Sequence, residues 1–465
     1  MAERYDVILV GAGPAGIFAA LELANTGLKT LLLEKGPDLS ARPRPGELQR
    51  STPTDPRLRW QITGFGGAGA YSDGKLTLST DVGGRLDTIL GAESLRGLLR
   101  YVDDVYMRYG GTDRVYGLSA EVEEMRREAA RAGLRLVPAP IKHLGTDRSF
   151  YILEAIREEL GRTVEIRTGV AAEQLQLRDG RVVGVRTSTG EDLAAEYVVV
   201  APGREGSQWL LDEARRLGLD IAQSPVDIGV RVEVPAPVLD KITSVVYESK
   251  LELYTRVFDD RIRTFCMCPG GEVTMEHTGG EDAVITVNGH SYAERKTDNT
   301  NFALLISTTF TEPFREPNAY GRYVARLANL LGGGVIVQRL GDLLAGRRST
   351  PERLHRGLVT PTLRSAAPGD LSFVLPYRYL SDILEMLQAM DRLAPGIYER
   401  HTLLYGVEVK FYSVRLRVSP QLETDISNLF AAGDGAGVTR GLVQASASGV
   451  VAAREIIRRA GAGSS

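Results

Sequence analysis

The sequence predicts an α/β fold, with one domain built on a parallel sheet and a second α+β domain whose sheet is mainly antiparallel. Three observations predict it. A short apolar run, Val7 to Val10, leads through a glycine-rich turn into an apolar helix. A similar strand, turn and helix return near the carboxyl end, around Gly433. Between them, from residue 226 to about 400, apolar and polar residues alternate as in half-buried strands.

The first turn has the spacing Gly11-x-Gly13-x-x-Gly16. In a dinucleotide-binding unit the first glycine permits the tight turn, the second lets backbone amides approach a pyrophosphate, and the third lets the helix pack on its strand. The helix that starts there directs its amides and positive dipole end at the phosphates. A second strand, Leu31 to Leu33, ends at Glu34, where such a unit places the acceptor for adenosine ribose hydroxyls. The predicted dinucleotide site therefore includes Gly11, Ala12, Gly13, Pro14, Ala15, Gly16, Glu34 and Lys35.

Composition narrows the class of protein. A chain of 465 residues predicts two or three domains, and 43% hydrophobic with 25% charged residues is ordinary for a soluble globular protein. The 56 basic and 59 acidic residues are interspersed, which argues against a nucleic-acid partner. Two cysteines are too few for a disulfide framework and suit the reducing cytoplasm, where we expect the protein. No run approaches the roughly 18 apolar residues of a membrane span.

Two segments follow the first unit. Four prolines between residues 43 and 56 predict a surface loop. The next stretch, Gly64 to Lys75, is so rich in glycine that it is either a flexible turn or a segment that passes close to a cofactor. Its position after a dinucleotide unit favours the second interpretation, with these residues near the cofactor: Gly66, Gly67, Ala68, Gly69 and Lys75. Residues 86–133 are predicted to form a solvated helical insertion.

A three-stranded meander is predicted next. Strands over 173–178 and 181–187 flank a turn at Asp179-Gly180, and a buried strand then ends at Ala201-Pro202-Gly203. A plain nicotinamide domain does not need such a meander. We expect residues 1–225 and 401–465 to form one discontinuous domain, and residues 226–400 to form a substrate or cap domain.

The carboxyl end contributes to the first domain. A short strand ends at Gly433-Asp434, and Gly441, Leu442 and Val443 lead into a helix of small residues. An aspartate at a strand end can accept a hydrogen bond from a sugar alcohol while helix amides face a phosphate or a carbonyl. This arrangement predicts a flavin site built from both ends of the chain.

Four motifs then agree, namely GAGPAG with Glu34, GFGGAGAYSDGK, YVVVAPG and LFAAGDGAG. Together they resemble the FAD-dependent oxidoreductases of the glutathione reductase superfamily, and most closely a poorly characterised branch of bacterial and archaeal FAD-dependent dehydrogenases. FCMCPGG and VNGHSYAERKTDNTNFALL are also similar to that branch. The resemblance implies an FAD-binding Rossmann-like domain of glutathione reductase type with an inserted meander.

The resemblance also implies roles for single residues. Val170 would contact adenine, Ala201 and Gly203 would line the cofactor, and Asp434 would bond the ribityl chain. Pro202 stands where the family has a small polar residue, so the family's side-chain hydrogen bond is not expected there. Since no second GxGxxG with its own strand and helix occurs, NAD(P)H or an electron-transfer protein would serve as a transient donor.

Few side chains can be assigned to the chemistry. His290 and Tyr292 follow a strand and could donate protons, although a histidine there is more often structural. Cys266 and Cys268 alternate on a predicted strand, which places both thiols on one face, as a redox pair or as buried structural residues. Lys75 could stabilise reduced flavin or form an exposed ion pair. The histidines show no metal-ligand spacing, and we expect no metal.

The sequence thus favours an FAD-dependent dehydrogenase or reductase that passes hydride between flavin N5 and a small organic molecule. An FAD-dependent monooxygenase of the aromatic hydroxylase type and a non-catalytic flavin-holding binding protein remain alternatives. The sequence gives no prediction of substrate or oligomeric state.

Overall fold

The structure, a computed structural model, describes residues 4–44, 60, 62–71, 74–137, 139–222, 224–246, 248–278, 284–291, 296–311, 314, 316–412 and 415–461. The strands are β1 Arg4–Val10, β2 Thr30–Glu34, β3 Lys75–Thr77, β4 Val115–Tyr116, β5 Arg135–Leu136, β6 Ile141–His143, β7 Glu165–Thr168, β8 Ala172–Arg178, β9 Arg181–Thr187, β10 Asp192–Val200, β11 Ile221–Ala222, β12 Val226–Pro235, β13 Leu251–Tyr254, β14 Arg261–Cys268, β15 Glu272–Thr278, β16 Val284–His290, β17 Asn299–Thr308, β18 Ile336–Arg339, β19 Ala367–Pro368, β20 Leu403–Lys410, β21 Arg415–Leu416 and β22 Leu429–Ala431.

The helices are α1 Pro14–Leu23, α2 Leu86–Leu90, α3 Ala92–Arg108, α4 Ala120–Arg131, α5 Thr146–Leu160, α6 Ser207–Leu217, α7 Ala236–Thr243, α8 Pro317–Gly332, α9 Leu340–Leu344, α10 Pro351–His355, α11 Tyr377–Leu393 and α12 Leu442–Ala460. Short 3-10 turns cover Leu39–Ala41, Gly67–Tyr71, Leu371–Phe373 and Asp434–Ala436. Among the described residues, no helix has the length and apolar character needed to cross a membrane.

The chain divides into two compact units. The first unit comprises Met1–Val115, Ala139–Ser224 and Ser413–Ser465, and the second comprises Tyr116–Pro138 and Pro225–Tyr412. The expected domain border after residue 400 therefore differs from the observed division after Tyr412. The reason is that β20 pairs with β12 over its length, which keeps residues 403–410 in the sheet of the second unit.

A mostly parallel sheet organises the first unit. Its strand order is β7-β2-β1-β10-β9-β8, and β22 also pairs with β10. The pairs β1–β2, β1–β10, β2–β7 and β10–β22 are parallel, whereas β8, β9 and the start of β10 pair antiparallel. Strand β10 serves both parts because its first residues pair with β9 and its last three pair with β22. The apolar residues of β1, β2 and β10 are buried, as expected for parallel strands covered on both faces.

The expected helical insertion at 86–133 is two segments in different units. Helix α3 lies in the first unit, and its residues Leu95, Leu99 and Val102 are buried. Their spacing gives α3 an apolar face that its many charged residues obscure in the sequence. Helix α4 lies in the second unit, where Met125 packs in the core and Arg392 donates to the carbonyl of Ala132 at 2.6 Å.

The second unit is built on a sheet of order β19-β18-β20-β12-β17-β14-β13-β5. Its pairs are antiparallel except β18–β19, which is parallel. Strands β15 and β16 form a separate two-stranded ribbon. Helix α11 packs against β12, β14 and β17.

Candidate cofactor site

Two glycine-rich segments of the first unit lie side by side. The amide of Gly66 donates to the carbonyl of Ala12 at 2.8 Å, and a β-carbon at Gly67 would lie 3.2 Å from the α-carbon of Gly13. The structure thus brings the predicted Gly64–Gly69 segment, including Ala68 and Gly69 in the short helical turn, against the first turn of the chain.

Two glycines of that first turn are required by the packing of the protein itself. Gly11 has a φ of +100°, and a β-carbon there would lie 2.3 Å from the carbonyl oxygen of Ala201. A β-carbon at Gly16 would lie 1.9 Å from the carbonyl oxygen of Gly11. Both distances are impossible for real atoms, so these positions demand glycine whether or not a ligand binds.

Gly13 is different from both. It precedes α1 with φ −80° and ψ −177°, which other residues adopt freely, and a β-carbon there would meet nothing within 4 Å. The packing of the chain therefore does not explain this glycine. The open space lies at the start of α1, where free amides and the helix dipole attract an anion. This geometry fits a pyrophosphate.

Glu34 accepts hydrogen bonds from the backbone of three loops. Its side chain is 6% exposed, its Oε2 accepts the Ala12 amide at 2.9 Å, and its Oε1 accepts the amides of Gly36 at 2.8 Å and Gly64 at 3.0 Å. A carboxylate has about four acceptor sites. Oε2 consequently keeps a lone pair that can accept one further hydrogen bond. The ribose role of Glu34 stays a prediction, and the structure adds a structural role that the sequence did not indicate.

Val170 and Lys35 flank the end of β2. The Val170 amide donates to the carbonyl of Glu34 at 3.0 Å, and its side chain is half-buried, while its contact with adenine stays a prediction. The Lys35 ammonium lies 3.5 Å from the Glu205 carboxylate, and both side chains are largely exposed. Lys35 therefore forms a surface ion pair.

The ends of β1, β10 and β22 meet at one edge of the sheet. Ala201 donates to the carbonyl of Val10 at 2.8 Å, and Ala432 donates to the carbonyl of Val200 at 3.0 Å. A β-carbon at Gly435 would lie 2.4 Å from the carbonyl oxygen of Gly203. The corner after β10 and the turn after β22 are consequently in contact, as a site built from both chain ends requires.

Asp434 organises the approach to α12. Its Oδ1 accepts the Thr439 hydroxyl at 2.8 Å and the Gly441 amide at 3.3 Å, while the Gly433 amide before it donates to the Ser448 hydroxyl at 2.9 Å. Burial raises the pKa of the Asp434 carboxyl, although the charge of Arg204, the hydrogen bonds from Thr439 and Gly441 and the charge of Arg440 act in the opposite direction.

The first residues of α12 complete the arrangement. Leu442 lies against Gly69, where a β-carbon would come within 2.9 Å of its methyl group, and Val443 is buried. Gln444 is also buried and donates from Nε2 to the carbonyl of Val82 at 3.0 Å. Its Oε1 has no hydrogen-bond partner within the described part of the chain, so an acceptor is available beside the helix start.

Sequence reasoning missed Arg42. It directly precedes the proline-rich stretch that was expected to be a surface loop, yet Arg42 is 3% exposed. Its guanidinium donates to the carbonyls of Phe65 at 2.6 Å, Gly67 at 3.0 Å and Trp60 at 2.6 Å. Arg42 therefore holds the glycine-rich segment in place. The signal in the sequence is weak, since an arginine just before a proline gives no indication of burial.

Three further predicted residues have no tested role at the cofactor site. Lys75 starts β3 and pairs in register with His143 of β6. His290 ends β16 in the second unit with an exposed side chain, and Tyr292 lies outside the described residues. Within the described ranges, no group of three His, Cys, Asp or Glu side chains is placed to hold a metal ion.

Comparison with known families decides the cofactor. Residues 6–232 match the family described as FAD dependent oxidoreductase, and residues 225–411 match FAD-dependent protein, C-terminal domain-like. The chain is an FAD-dependent oxidoreductase. Residues 368–463 of this oxidoreductase also match the family Glucose inhibited division protein A. The open space at Gly13, the remaining lone pair of Glu34 and the Oε1 of Gln444 all fit FAD.

Similar proteins include an uncharacterized protein of Clostridium beijerinckii, 28% identical over 97% of this chain and 80% of its own length. The tRNA uridine 5-carboxymethylaminomethyl modification enzyme MnmG of Streptococcus pyogenes is 26% identical over 50% of this chain, which spans only 32% of that enzyme. Among solved structures, glycine oxidase from Geobacillus kaustophilus aligns over 98% of this chain and 95% of its own, with 14% identity and a TM-score of 0.41.

Proposed function

We propose that this oxidoreductase is a dehydrogenase or reductase that transfers hydride between flavin N5 and a small organic molecule, with its cofactor domain folded as in glutathione reductase. The observation that carries the proposal is the unexplained glycine at Gly13, which opens a space at the start of α1 inside an otherwise close-packed turn. FAD bound there supplies two-electron chemistry, and the protein need only hold it, orient a substrate and exclude water.

The residues have separate tasks in this proposal. Gly13 and the first amides of α1 hold the pyrophosphate, while the free lone pair of Glu34 accepts one ribose hydroxyl beside Val170. Asp434, with its carboxyl oriented by Thr439, accepts from the ribityl chain. The first amides of α12 point a helix dipole at the remainder of the cofactor, which favours negative charge on it.

The second unit matches its own family model and is the proposed substrate domain. His290 is its candidate proton donor. Since the sequence holds no second dinucleotide turn with its own strand and helix, we propose that NAD(P)H or an electron-transfer protein binds transiently as donor. We propose a cytoplasmic location because cysteine is scarce in the sequence.

An anaerobic reduction experiment tests this function. The purified protein is reconstituted with FAD, its visible flavin spectrum is recorded, and NADH, NADPH and reduced ferredoxin are added in turn without oxygen. We expect at least one donor to bleach the flavin and an organic acceptor to restore the colour. Gly13→Ala, which should fold but bind FAD poorly, is the matched control for bleaching by free flavin.

Other outcomes would contradict the proposal in distinguishable ways. A protein that cannot be reconstituted with FAD would overturn the whole assignment. Oxidation of NAD(P)H that rises with an aromatic compound and yields a hydroxylated product in air would indicate a monooxygenase instead. A yellow protein that no donor reduces would indicate a flavin-holding binding protein.

A further inference from the structure

Two thiols lie close together in the second unit. The Sγ atoms of Cys266 and Cys268, both on β14, are 4.0 Å apart. Because a strand rises about 3.3 Å per residue, α-carbons two residues apart are normally about 6.6 Å apart, near the upper limit for a disulfide. Here β14 is irregular, since Cys266 has a φ of +46° and the pairing with β17 shifts between Phe265 and Cys268. The thiols therefore meet at a bend in the strand.

The two cysteines differ in exposure. Cys268 is 2% exposed, whereas Cys266 is only half-buried. Met267 between them is fully buried and anchors this part of β14 in the core. A reagent from solution consequently reaches Cys266 first, and Cys268 is placed to react with whatever forms on Cys266.

A buried cation contacts Cys266, and a second cation shares its carboxylate partner. Arg231 is fully buried, pairs with Glu408 through two hydrogen bonds of 2.8 and 2.9 Å, and donates to the carbonyl of Cys266 at 3.1 Å. The Lys410 ammonium lies 3.2 Å from both Glu408 and Glu276. Burial and the charge of Arg231 by themselves would lower the pKa of Lys410, but chiefly the charges of Glu408 and Glu276 outweigh them and raise that pKa to about 12. In general, a cation close to a thiol favours its thiolate form.

We propose that Cys266 and Cys268 form a redox-active dithiol that reduces low-molecular-weight disulfides. The Cys266 thiolate attacks one sulfur of the disulfide, which forms a mixed disulfide and releases one thiolate. Cys268 then loses its proton and attacks the Sγ of Cys266, which closes the intramolecular disulfide and releases the second thiolate. The protons given up by the two cysteines convert the released thiolates to thiols, so two electrons pass from the protein to the disulfide.

This site lies wholly within the second unit and is independent of the proposed flavin reaction. The test uses the full-length protein, equilibrated without oxygen in glutathione buffers of increasing oxidised fraction and then trapped with N-ethylmaleimide. Peptide mass spectrometry measures the state of each cysteine. We expect both thiols of the wild type to disappear together as one disulfide. Cys268→Ser should accumulate glutathione on Cys266. In Cys266→Ser, the remaining thiol of Cys268 should react with oxidised glutathione at least about tenfold more slowly, because Cys268 is buried.

Independent oxidation of the two cysteines, glutathione adducts without an internal disulfide, or thiols that persist at every ratio would each overturn the proposal. The wild-type titration decides the matter even if a variant misfolds, which circular dichroism would reveal.

Lys410→Gln tests whether the Lys410 ammonium favours the thiolate form of Cys266. In the Cys268→Ser background, we expect it to slow alkylation of Cys266 by iodoacetamide about three- to tenfold and to move the pH profile of that rate upward. Arg231 on β12 contacts the Cys266 carbonyl, and the charged groups linked to it are Glu408 and Lys410 on β20 and Glu276 on β15. Lys241→Gln removes an exposed lysine paired with Glu128 and should leave the profile unchanged. Equal profiles for the two variants would contradict the role of Lys410.

Discussion

Gly449 of α12 packs directly on the backbone of Ala15 in α1. A β-carbon at Gly449 would lie 1.9 Å from the carbonyl oxygen of Ala15 and 3.0 Å from the amide nitrogen of Ala19. The last helix of the chain and the first are therefore pressed together at the very turn that begins the cofactor site. Because the opposing atoms are backbone, no side-chain rotation can make room for a larger residue.

Gly449→Ala should destabilise the first unit by about 2 kcal/mol or more, since α1 and α12 must move apart. FAD affinity should fall as well, because the Gly13 turn precedes α1. Urea unfolding and fluorescence titration with FAD measure the two effects. Gly97→Ala is the matched control, as a β-carbon there meets nothing within 4 Å in the middle of α3, and it should stabilise by about 0.5–1 kcal/mol. Equal stability of the two variants would contradict the close packing.

Gly13→Ala should weaken FAD binding without changing the stability of the protein. The added methyl enters open space and suits the backbone angles of Gly13, so the free energy of unfolding without FAD should change by less than about 0.5 kcal/mol. FAD affinity should fall by about tenfold or more, because the methyl occupies the space where amides must approach the pyrophosphate. Isothermal titration with FAD checks this, and wild-type affinity in a folded variant would show that the pyrophosphate lies elsewhere.

Glu34→Gln should weaken the loops around the cofactor. The carboxylate accepts three amides, and an amide side chain turns one of its two acceptor atoms into a donor. Leaving buried N–H groups unpaired should cost about 1–3 kcal/mol in the free energy of unfolding, with lower FAD affinity. Glu173→Gln, at an exposed position of β8, should change neither quantity. If the two variants have the same free energy of unfolding, the three hydrogen bonds of Glu34 do not stabilise these loops.

The sequence indicated the cofactor turn because its pattern is local. Gly11, Gly13 and Glu34 have fixed spacings around two apolar strands, and each spacing follows from backbone geometry. The unit to which a segment belongs, by contrast, depends on pairing with residues that are distant in the sequence. Residues 116–138 join the second unit and 403–410 its sheet only because distant strands pair with them, as Leu136 does with Leu251. The bend at Cys266 was also beyond sequence reasoning, since a positive φ at a non-glycine residue has no pattern.

Arg42→Met should lower FAD affinity by about tenfold. The guanidinium binds the carbonyls of Phe65 and Gly67, and its loss leaves both without a buried donor, so the glycine-rich segment loses its support. Arg42→Lys should restore part of the affinity, because an ammonium reaches fewer of these carbonyls. Arg44→Met, two residues along, removes only an exposed ion pair with Glu154 and is the control. Unchanged affinity in Arg42→Met would contradict the supporting role; FAD titration decides.

Asp382 makes the stability of the second unit depend on pH. Its side chain is fully buried on α11, and burial, together with the nearby charge of Asp260, raises its pKa to about 6. Asp260 itself is held by Arg378, whose guanidinium donates to its Oδ1 at 2.6 Å, and this hydrogen bond lowers the pKa of Asp260. Because the unfolded chain has an aspartate pKa of about 3.9, the folded state binds this proton more tightly.

The stabilising contribution of Asp382 is thus fully present below pH about 4 and is lost as the pH rises through about 6. Asp382→Asn keeps the side chain neutral at every pH. We expect the variant to be more stable than the wild type by about 1–2 kcal/mol at pH 8 and to lose this advantage toward pH 4. Urea unfolding across this range measures the difference, and Asp240→Asn, at an exposed site on α7, should show none. An advantage that does not vary with pH would mean that the Asp382 carboxyl stays ionised in the folded unit.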